Sequence, residues 1–336
     1  MPPILEVKDL VKKYGDLYAV KGISFSVEQG EVFGLLGPNG AGKTTAISVL
    51  TGLFPPTSGT AQIGGYDIST HMTQIKKING LVPQDLALYP TLSARANLNF
   101  FGRIYGLRGK ELKERVDDVL RLVALSDRAD DAIETFSGGM KRRINIAAGL
   151  VHLPKMLFLD EPTVGVDPQS RNHIFESVQS LNRDRGMSII YTSHYMEEVE
   201  LLCNRVAIID QGEIIALDTI KNLIAMLGGG VIHVGLHQVD DALLGQLAAL
   251  PAVKQAVIAP QSAPPPPAEG QEVEAVEIAL APDYTVVKIE AEHSQQALVN
   301  MISFFSERDI PLASLEILEP NLESVFLNLT GKRLRE

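Results

Sequence analysis

Residues 32–45 read VFGLLGPNGAGKTT, and the fold of the first part of the chain follows from this stretch. VFGLLG (residues 32–37) is short and almost continuously apolar, which is typical of a central parallel strand buried on both faces. A glycine-rich turn follows it, and residues 43–51 are predicted to begin a helix. Strand, turn and helix in this order predict an α/β domain.

The turn at residues 37–44 matches the pattern G-x-x-x-x-G-K-[ST]. Its glycines allow backbone N–H groups to converge on phosphate oxygens, and the helix that follows presents its positive end. Lys43 would neutralise the β and γ phosphates of a nucleotide, and Thr44 would place a hydroxyl on Mg²⁺. A chance match is the alternative, but the preceding strand and the motifs below outweigh it.

Two more apolar runs, MLFLD (residues 156–160) and SIIYTSH (residues 188–194), predict further buried parallel strands. The first ends in two adjacent carboxylates, Asp160 and Glu161. Because side chains alternate along a strand, these carboxylates are expected to point in opposite directions and to have different roles. We expect Asp160 to bind Mg²⁺ through water and Glu161 to act as the general base on the attacking water.

The composition excludes several classes of protein. The chain has 336 residues, and 30 Lys and Arg against 41 Asp and Glu give a net charge of -11, which disfavours binding to nucleic-acid backbones. The single cysteine, Cys203, cannot form an internal disulfide, and the N-terminus lacks a secretory leader, so a reducing cytosol is expected. Uncharged stretches are too short or too irregular to span a bilayer, so the chain is expected to be soluble on its own.

The chain is long enough for two domains. From residue 4 to about residue 225, apolar strands alternate with amphipathic helices, as in an α/β domain. Ile23, Phe25 and Val27 alternate with polar residues, which predicts an additional antiparallel layer. Glycines 228–230 interrupt the pattern, and the boundary placed there gives domains of residues 1–228 and 229–336.

The second domain repeats strands and helices at shorter intervals, which favours a ferredoxin-like αβ sandwich. Strands are predicted around Ile232, Val276, Val287 and Leu315, and helices around Leu247 and Met301. The proline-rich stretch at residues 259–270 predicts an extended, solvated loop more readily than a ligand for a proline-binding partner. Helical spacing at residues 322–329 predicts a last helix, which either completes the small domain's core or holds two copies together.

Seven motifs resemble those of the ATP-binding cassette (ABC) ATPases in order and spacing, over roughly the first two-thirds of the chain. They are Tyr14, the phosphate loop, Gln84, Ser137-Gly138-Gly139, Asp160-Glu161, Asp167 and His194. FSGGMKRR (residues 136–143) is the most specific, because other phosphate-loop NTPases lack it. The resemblance implies an ABC-type P-loop ATPase domain, with a RecA-like core, an antiparallel β layer and a helical subdomain. It also implies ATP and Mg²⁺ as ligands and ATP hydrolysis as the activity.

The resemblance implies a role for each matching residue. The phosphates would be bound by Gly37, Pro38, Asn39, Gly40, Ala41, Gly42, Lys43, Thr44 and Thr45, and adenine would stack on Tyr14. Mg²⁺ would be held by Thr44, Gln84 and Asp160, and catalysis would depend on Glu161, Gln84 and His194, the last as a contact to the γ-phosphate. The motif Ser137, Gly138 and Gly139 would bind ATP held by another copy, and Asp167 would join the two sites.

One phosphate loop and one Ser-Gly-Gly motif per chain cannot complete a site in the geometry of this family. The resemblance therefore implies a homodimer that sandwiches two ATP. ATP binding would close the dimer and hydrolysis would reopen it, and this cycle would drive a partner. The implied partner is an integral membrane permease that docks near residues 86–105, which would hold the chain at the cytosolic face of the cell membrane.

Three functions are open at this point: a transporter subunit, an ATPase of DNA repair or translation, and a regulatory ATPase. A single cassette and an acidic charge balance favour the transporter subunit, and no nucleic-acid partner is expected. FSGGMKRR, DEPTVGVDP and the ending LEPNLESVFLNLTGK are similar to drug, lipid and polysaccharide exporters of the daunorubicin-resistance type. Efflux is therefore expected ahead of import. Met140 stands where sugar importers usually carry Gln, so a side-chain amide is missing at the expected dimer interface.

Overall fold

The computed structural model describes residues 2–227, 229–259, 284–318 and 320–330. Its strands are β1 (Leu5–Tyr14), β2 (Leu17–Val27), β3 (Val32–Leu36), β4 (Ser58–Ile63), β5 (Tyr66–Asp67), β6 (Asn79–Val82), β7 (Met156–Asp160), β8 (Ser188–Ser193), β9 (Arg205–Asp210), β10 (Glu213–Thr219), β11 (Val231–Leu236), β12 (Val253–Ile258), β13 (Thr285–Ala291) and β14 (Leu312–Leu318). Its helices are α1 (Lys43–Leu50), α2 (Met72–Ile78), α3 (Ala94–Ile104), α4 (Gly109–Leu122), α5 (Gly138–Leu150), α6 (Pro168–Arg185), α7 (Met196–Leu202), α8 (Ile220–Ala225), α9 (Asp241–Ala248), α10 (Ser294–Glu307) and α11 (Leu322–Thr330). The chain divides into two compact units: the first runs through Leu223 and also includes Leu329 and Thr330, and the second is Ile224–Asn328.

A six-stranded sheet forms the centre of the first unit, in the order β10-β9-β3-β8-β7-β6. Its strands are parallel except for the antiparallel pair of β9 and β10. Every residue of β3, β7 and β8 is buried, which confirms the interpretation of their apolar runs as central strands. Parallel neighbours place their carboxyl ends at one edge of a sheet, so the residues that follow β3, β6, β7 and β8 come together there.

An antiparallel layer and a helical subdomain complete the first unit, as the family resemblance implies. The layer has the order β2-β1-β4-β5 and buries Ile23, Phe25 and Val27, and the Phe25 ring stacks on Phe33 of the central sheet at 5.3 Å. The helical subdomain consists of α3 and α4, which pack against each other and against α5. The longest described helix, α6, has 18 residues, and no helix in the described ranges combines the length and apolar character needed to cross a membrane.

The second unit has a four-stranded antiparallel sheet in the order β12-β13-β11-β14. With α9 after β11 and α10 after β13, this is the βαββαβ arrangement of a ferredoxin-like domain, as expected. Its core includes Ile232, Val287 and Phe305. Strand β12 was not predicted, because only Ala256 of its residues is buried and its sequence does not alternate. The strand predicted at Val276 and residues 260–270 of the proline-rich stretch lie outside the described residues.

Candidate functional site

The phosphate loop, residues 37–44, joins the buried end of β3 to α1. Helix α1 begins at Lys43, as predicted. Gly42 precedes it with a φ of 109°, and a Cβ at this position would lie 2.4 Å from the carbonyl oxygen of Ala19. Only glycine can therefore make this turn without strain. The unpaired N–H groups of the first turn of α1 point back into the loop, which suits a bound anion.

Lys43 connects the phosphate loop to the end of β7. Its Nζ donates to the carbonyl oxygens of Gly37 at 2.7 Å and Pro38 at 3.0 Å. It also lies 3.1 Å from Glu161 Oε1, and the side chains of this ion pair are only 4% and 5% exposed. A buried ammonium group needs such partners, because removal from water strongly disfavours an unpaired charge.

Asp160, the last residue of β7, is buried between two hydroxyl groups. Its Oδ1 accepts a hydrogen bond from Thr192 Oγ1 of β8 at 2.8 Å, and the carboxylate also accepts one from the Thr44 hydroxyl. Burial raises the pKa of Asp160 above its ordinary value, and these two hydrogen bonds act in the opposite direction. A carboxylate beside a hydroxyl provides the oxygen ligands that Mg²⁺ prefers, with phosphate and water for the remainder.

Glu161 lies just past the end of β7 and makes contacts with three other predicted site residues. Its Oε1 pairs with Lys43, and its Oε2 accepts a hydrogen bond from Gln84 Nε2 at 3.3 Å. His194 Nδ1 lies 3.4 Å from the same Oε2, without the alignment of a hydrogen bond. The backbone of Glu161 is left-handed, with a φ of 46°, and its N–H donates to Thr192 Oγ1 at 2.9 Å. Such strain in a non-glycine residue is common at functional sites.

One expectation about the two carboxylates is wrong. Strand alternation predicts that Asp160 and Glu161 point in opposite directions, but the chain leaves the strand at Glu161 with its left-handed turn. Both carboxylates consequently reach adjacent residues of the phosphate loop, Asp160 at Thr44 and Glu161 at Lys43. Their different partners, and not opposite directions, distinguish them.

We call Lys43, Thr44, Gln84, Asp160, Glu161 and His194 the phosphate-side group. The sheet brings these residues together because β3, β8, β7 and β6 are consecutive parallel neighbours. The phosphate loop follows β3, His194 follows β8, Glu161 follows β7 and Gln84 follows β6. This edge of an open α/β sheet is where ligands of such folds bind.

Ser137, Gly138, Gly139 and Asp167 form a second cluster, which we call the signature group. Ser137 caps α5 by accepting a hydrogen bond from Met140 N at 3.2 Å, and Asp167 caps α6 by accepting one from Ser170 N at 2.9 Å. The latter bond lowers the pKa of Asp167. A Cβ on Gly139 would lie 2.0 Å from Ser170 Oγ, so the starts of α5 and α6 are in close contact. No hydrogen bond or ion pair of the described residues joins this group to the phosphate loop.

Tyr14 is at the end of β1, and its ring is 42% exposed. The ring meets Phe54 edge-on at 6.0 Å, and Lys12 Nζ lies 5.0 Å from its centre. The role of Tyr14 in adenine stacking stays a prediction.

Two buried polar features are not predicted by the sequence patterns. Thr192 bonds to Asp160 and to the backbone of Glu161, and a hydroxyl inside an otherwise apolar strand was the available signal. Glu198 of α7 accepts hydrogen bonds at one oxygen from the hydroxyls of Thr163, Tyr191 and Ser193, at 2.8 to 3.0 Å. Burial and this neighbouring carboxylate raise the pKa of Tyr191. The network fixes the strand that leads to His194.

Comparison with known proteins agrees with this geometry. The sequence model of the ABC transporter family matches residues 20–164. The linearmycin resistance ATP-binding protein LnrL of Bacillus subtilis (strain 168) is 48% identical over 334 residues, which cover 99% of this chain and 100% of that protein. The daunorubicin resistance ATP-binding protein DrrA3 of Streptomyces coeruleorubidus is 34% identical over 327 residues, 97% of this chain and 96% of that protein.

A solved structure shows the same fold for the first part of the chain. It is cbiO1 from Clostridium perfringens, part of the ABC transporter complex cbiONQ. The similarity has a TM-score of 0.62 and 31% sequence identity, and it covers 67% of this chain and 92% of that chain.

The fold and the site define an ATPase of the phosphate-loop class, with its phosphate loop at the carboxyl edge of a parallel sheet. Within that class, the chain belongs to the ABC transporter family, as one of its ATP-binding subunits.

Proposed function

We propose that the chain is the energising subunit of an exporter, in which two copies bind and hydrolyse two MgATP between them. The carrying observation is the separation of the two groups. The phosphate-side group is gathered at one sheet edge, whereas Ser137, Gly138 and Asp167 of the signature group are exposed and bonded only locally. Each chain thus offers one half of a site, and a second copy in head-to-tail orientation would supply the other half.

The roles of the site residues follow from their contacts. Backbone N–H groups of the phosphate loop and Lys43 would bind the phosphates, and Glu161 would take the proton from the attacking water. Gln84 and His194, which both approach Glu161 Oε2, would orient that water and the γ-phosphate. Tyr14 would stack on adenine, and the partner copy's signature group would bind the γ-phosphate with its helix N-terminus.

Thr44 and Asp160 are the residues that would hold Mg²⁺, with Gln84 as a further oxygen ligand. The described residues contain no cluster of three or more His, Cys, Asp or Glu suited to a metal, so most ligands would be phosphate oxygens and water. When bound, the ion neutralises negative charge on the phosphates during hydrolysis.

Efflux is supported by the relatives, whose names refer to linearmycin and daunorubicin resistance. We infer that a drug, a lipid or a glycan is moved by a separate membrane permease, with the chain at the cytosolic face. Residues 86–105 would receive the permease, since Tyr89 and Ile104 are 47% and 62% exposed in this segment. Residues 229–336 would be an accessory domain for assembly or regulation; the separate core of the second unit supports this assignment.

The sandwich is tested with the purified Glu161→Gln variant, which should bind ATP without hydrolysing it at a normal rate. Size-exclusion chromatography with light scattering should show a monomer without ATP and a dimer with it. Adding Lys43→Ala should abolish the dimer, since the phosphates lose a buried ammonium partner. The sandwich would be refuted if the Glu161→Gln variant stayed monomeric at saturating ATP and the wild-type chain hydrolysed ATP at its full rate as a monomer.

Export is tested separately from hydrolysis. The tagged chain, extracted in detergent, should copurify with a polytopic membrane protein. When the two proteins are reconstituted in proteoliposomes, they should move an amphipathic dye in one direction, and only when ATP is present. Movement of the dye away from the membrane face that carries the ATPase corresponds to efflux and supports the proposal. Movement toward that side would indicate an importer, and copurification with ribosomes or DNA would overturn the transport function.

A further inference from the structure

The loop that carries Gln84 is held in place by two side chains of α5. Arg142 Nη1 donates to the carbonyl oxygen of Pro83 at 3.0 Å, and Asn145 Nδ2 donates to the same oxygen at 3.3 Å. In return, Ala87 N donates to Asn145 Oδ1 at 3.1 Å. Residues 84–87 are exposed, so these bonds from α5 anchor both ends of an otherwise solvated loop.

Both anchoring side chains are buried, at 6% exposure for Arg142 and 1% for Asn145. Burial lowers the pKa of Arg142, and the charges of Asp85 and Asp160 oppose that effect. Apolar residues pack well at such positions, and buried polar groups are stabilising only when their hydrogen bonds are satisfied. Each of these two side chains bonds to the backbone of the Gln84 loop, and this fixes the position of that loop against α5.

The same helix begins at the signature group. Ser137 caps α5, and Arg142 and Asn145 lie within its next two turns. At the other end of the connection, Gln84 Nε2 donates to Glu161 Oε2. A continuous path of helix and hydrogen bonds thus runs from Ser137 to Pro83, Gln84 and Glu161 of one chain.

We propose that Arg142 and Asn145 are positioning residues that couple the two sites of the dimer. The proposal rests on the ATP sandwich proposed above. When the signature group of one chain binds the nucleotide of its partner, α5 is fixed, and through Pro83 it fixes Gln84 on Glu161 in the chain's own site. A rigid helix that is hydrogen-bonded to the loop can transmit a movement from one site to the other. This coupling requires two arrangements of the Gln84 loop, and it does not require the two nucleotides to touch.

The variants for the test have a matched control on the same helix. Arg142→Met and Asn145→Leu remove the bonds to the loop. Arg143→Met is the control, because Arg143 is also buried and donates to a backbone carbonyl, that of Val123 at 3.0 Å, away from the Gln84 loop. Arg142→Lys keeps the charge and one donor, and it should restore part of the function.

Turnover should fall about tenfold in Arg142→Met, because one lost hydrogen bond to a charged group changes a rate by roughly this factor. It should fall at least as far in Asn145→Leu, which loses two hydrogen bonds to the loop. The Hill coefficient for ATP should fall toward 1, and binding of a fluorescent ATP analogue should be unchanged. Arg143→Met should show a lower unfolding temperature, with turnover and Hill coefficient closer to the wild-type values than those of Arg142→Met. If Arg142→Met matches Arg143→Met in all of these, the coupling is overturned.

Hydrogen exchange separates the coupling from the sandwich itself. In the Glu161→Gln parent, ATP-driven pairing should slow exchange in the peptide that contains residues 83–87. With Arg142→Met added, the dimer should still form, since the signature group is intact, but exchange in this peptide should no longer respond to ATP. Pairing with an unchanged exchange response overturns the coupling alone. Failure of the parent to pair overturns the sandwich, and the coupling with it.

Discussion

The phosphate-side group and the signature group belong to one chain but have opposite surroundings. Lys43, Asp160 and Glu161 are 3–5% exposed and bond to one another or to buried hydroxyls. Ser137 and Asp167 are exposed, and their side-chain bonds are caps of their own helices. The first group is therefore bonded within the chain, whereas the second bonds only at the starts of its own helices, as the proposed sandwich requires of a surface that meets a partner copy. Substitutions in the two groups should therefore have different consequences.

The largest effect is expected for Glu161→Gln, in the phosphate-side group. Loss of the general base should reduce phosphate release by about 10²–10⁴-fold, the usual contribution of such a group. ATP affinity, measured with a fluorescent analogue, should be almost unchanged because Lys43 and the loop amides are intact. Near-normal turnover would show that another residue takes the proton.

A smaller effect on the same group is expected for Thr192→Val. This change removes the hydroxyl that donates to Asp160 and accepts from Glu161 N. It should lower the free energy of unfolding by about 1–3 kcal/mol, as for a buried group left without its partner, and it should also reduce turnover.

The matched control is Thr51→Val. Thr51 is buried as well, and its hydroxyl donates to the carbonyl of Ile47 at 2.8 Å, outside the site. Urea unfolding should show a stability loss without a change in turnover. Equal turnover in Thr192→Val and Thr51→Val would show that Thr192 does not support the site.

Asp160→Asn should stabilise the chain while it reduces hydrolysis. The pKa of Asp160 is raised by burial, so the folded state holds the proton more tightly than the unfolded state. The contribution of this group to stability is present below the unfolded pKa and is lost as pH rises through the folded pKa. Above the folded pKa the ionised carboxylate therefore destabilises the fold, and asparagine relieves that cost.

Urea unfolding across a pH series measures this effect. The gain from Asp160→Asn should be largest at neutral pH and should shrink as pH falls toward the ordinary range of aspartate. Asp184→Asn is the control, because Asp184 is exposed and hydrogen bonds from Arg183 lower its pKa, so no gain is expected. A destabilised Asp160→Asn at neutral pH would contradict the stated sign.

The smallest change in stability is expected for Asp167→Asn, in the signature group. Asparagine can still cap α6 through its oxygen, so the unfolding temperature of the single chain should be almost unchanged. ATP-driven pairing of the Glu161→Gln parent should nevertheless weaken, because the change lies at the expected interface. A large loss of stability without any effect on pairing would assign Asp167 to the fold alone.

Much of this site was predictable from the sequence, because the chemistry depends on residues at the ends of apolar runs. VFGLLG, MLFLD and SIIYTSH indicate parallel strands, and a parallel sheet necessarily gathers the residues after them. Thr192 and Asn145 were not found, since a threonine in a strand or an asparagine in a helix does not reveal its partner on another element. The left-handed turn at Glu161 was also missed, because it depends on tertiary contacts that no local pattern encodes.

The division of one site between two chains is tested most directly by mixing two variants in the Glu161→Gln background. One carries Lys43→Ala, which disables its phosphate loop, and the other carries Ser137→Arg, which blocks its signature group. Neither should pair by itself. The mixture should form dimers that retain one ATP each, at the phosphate loop of the Ser137→Arg chain facing the intact signature group of its partner. A mixture that forms no dimers and retains no ATP, or a Ser137→Arg chain that pairs with itself in ATP, would contradict the account.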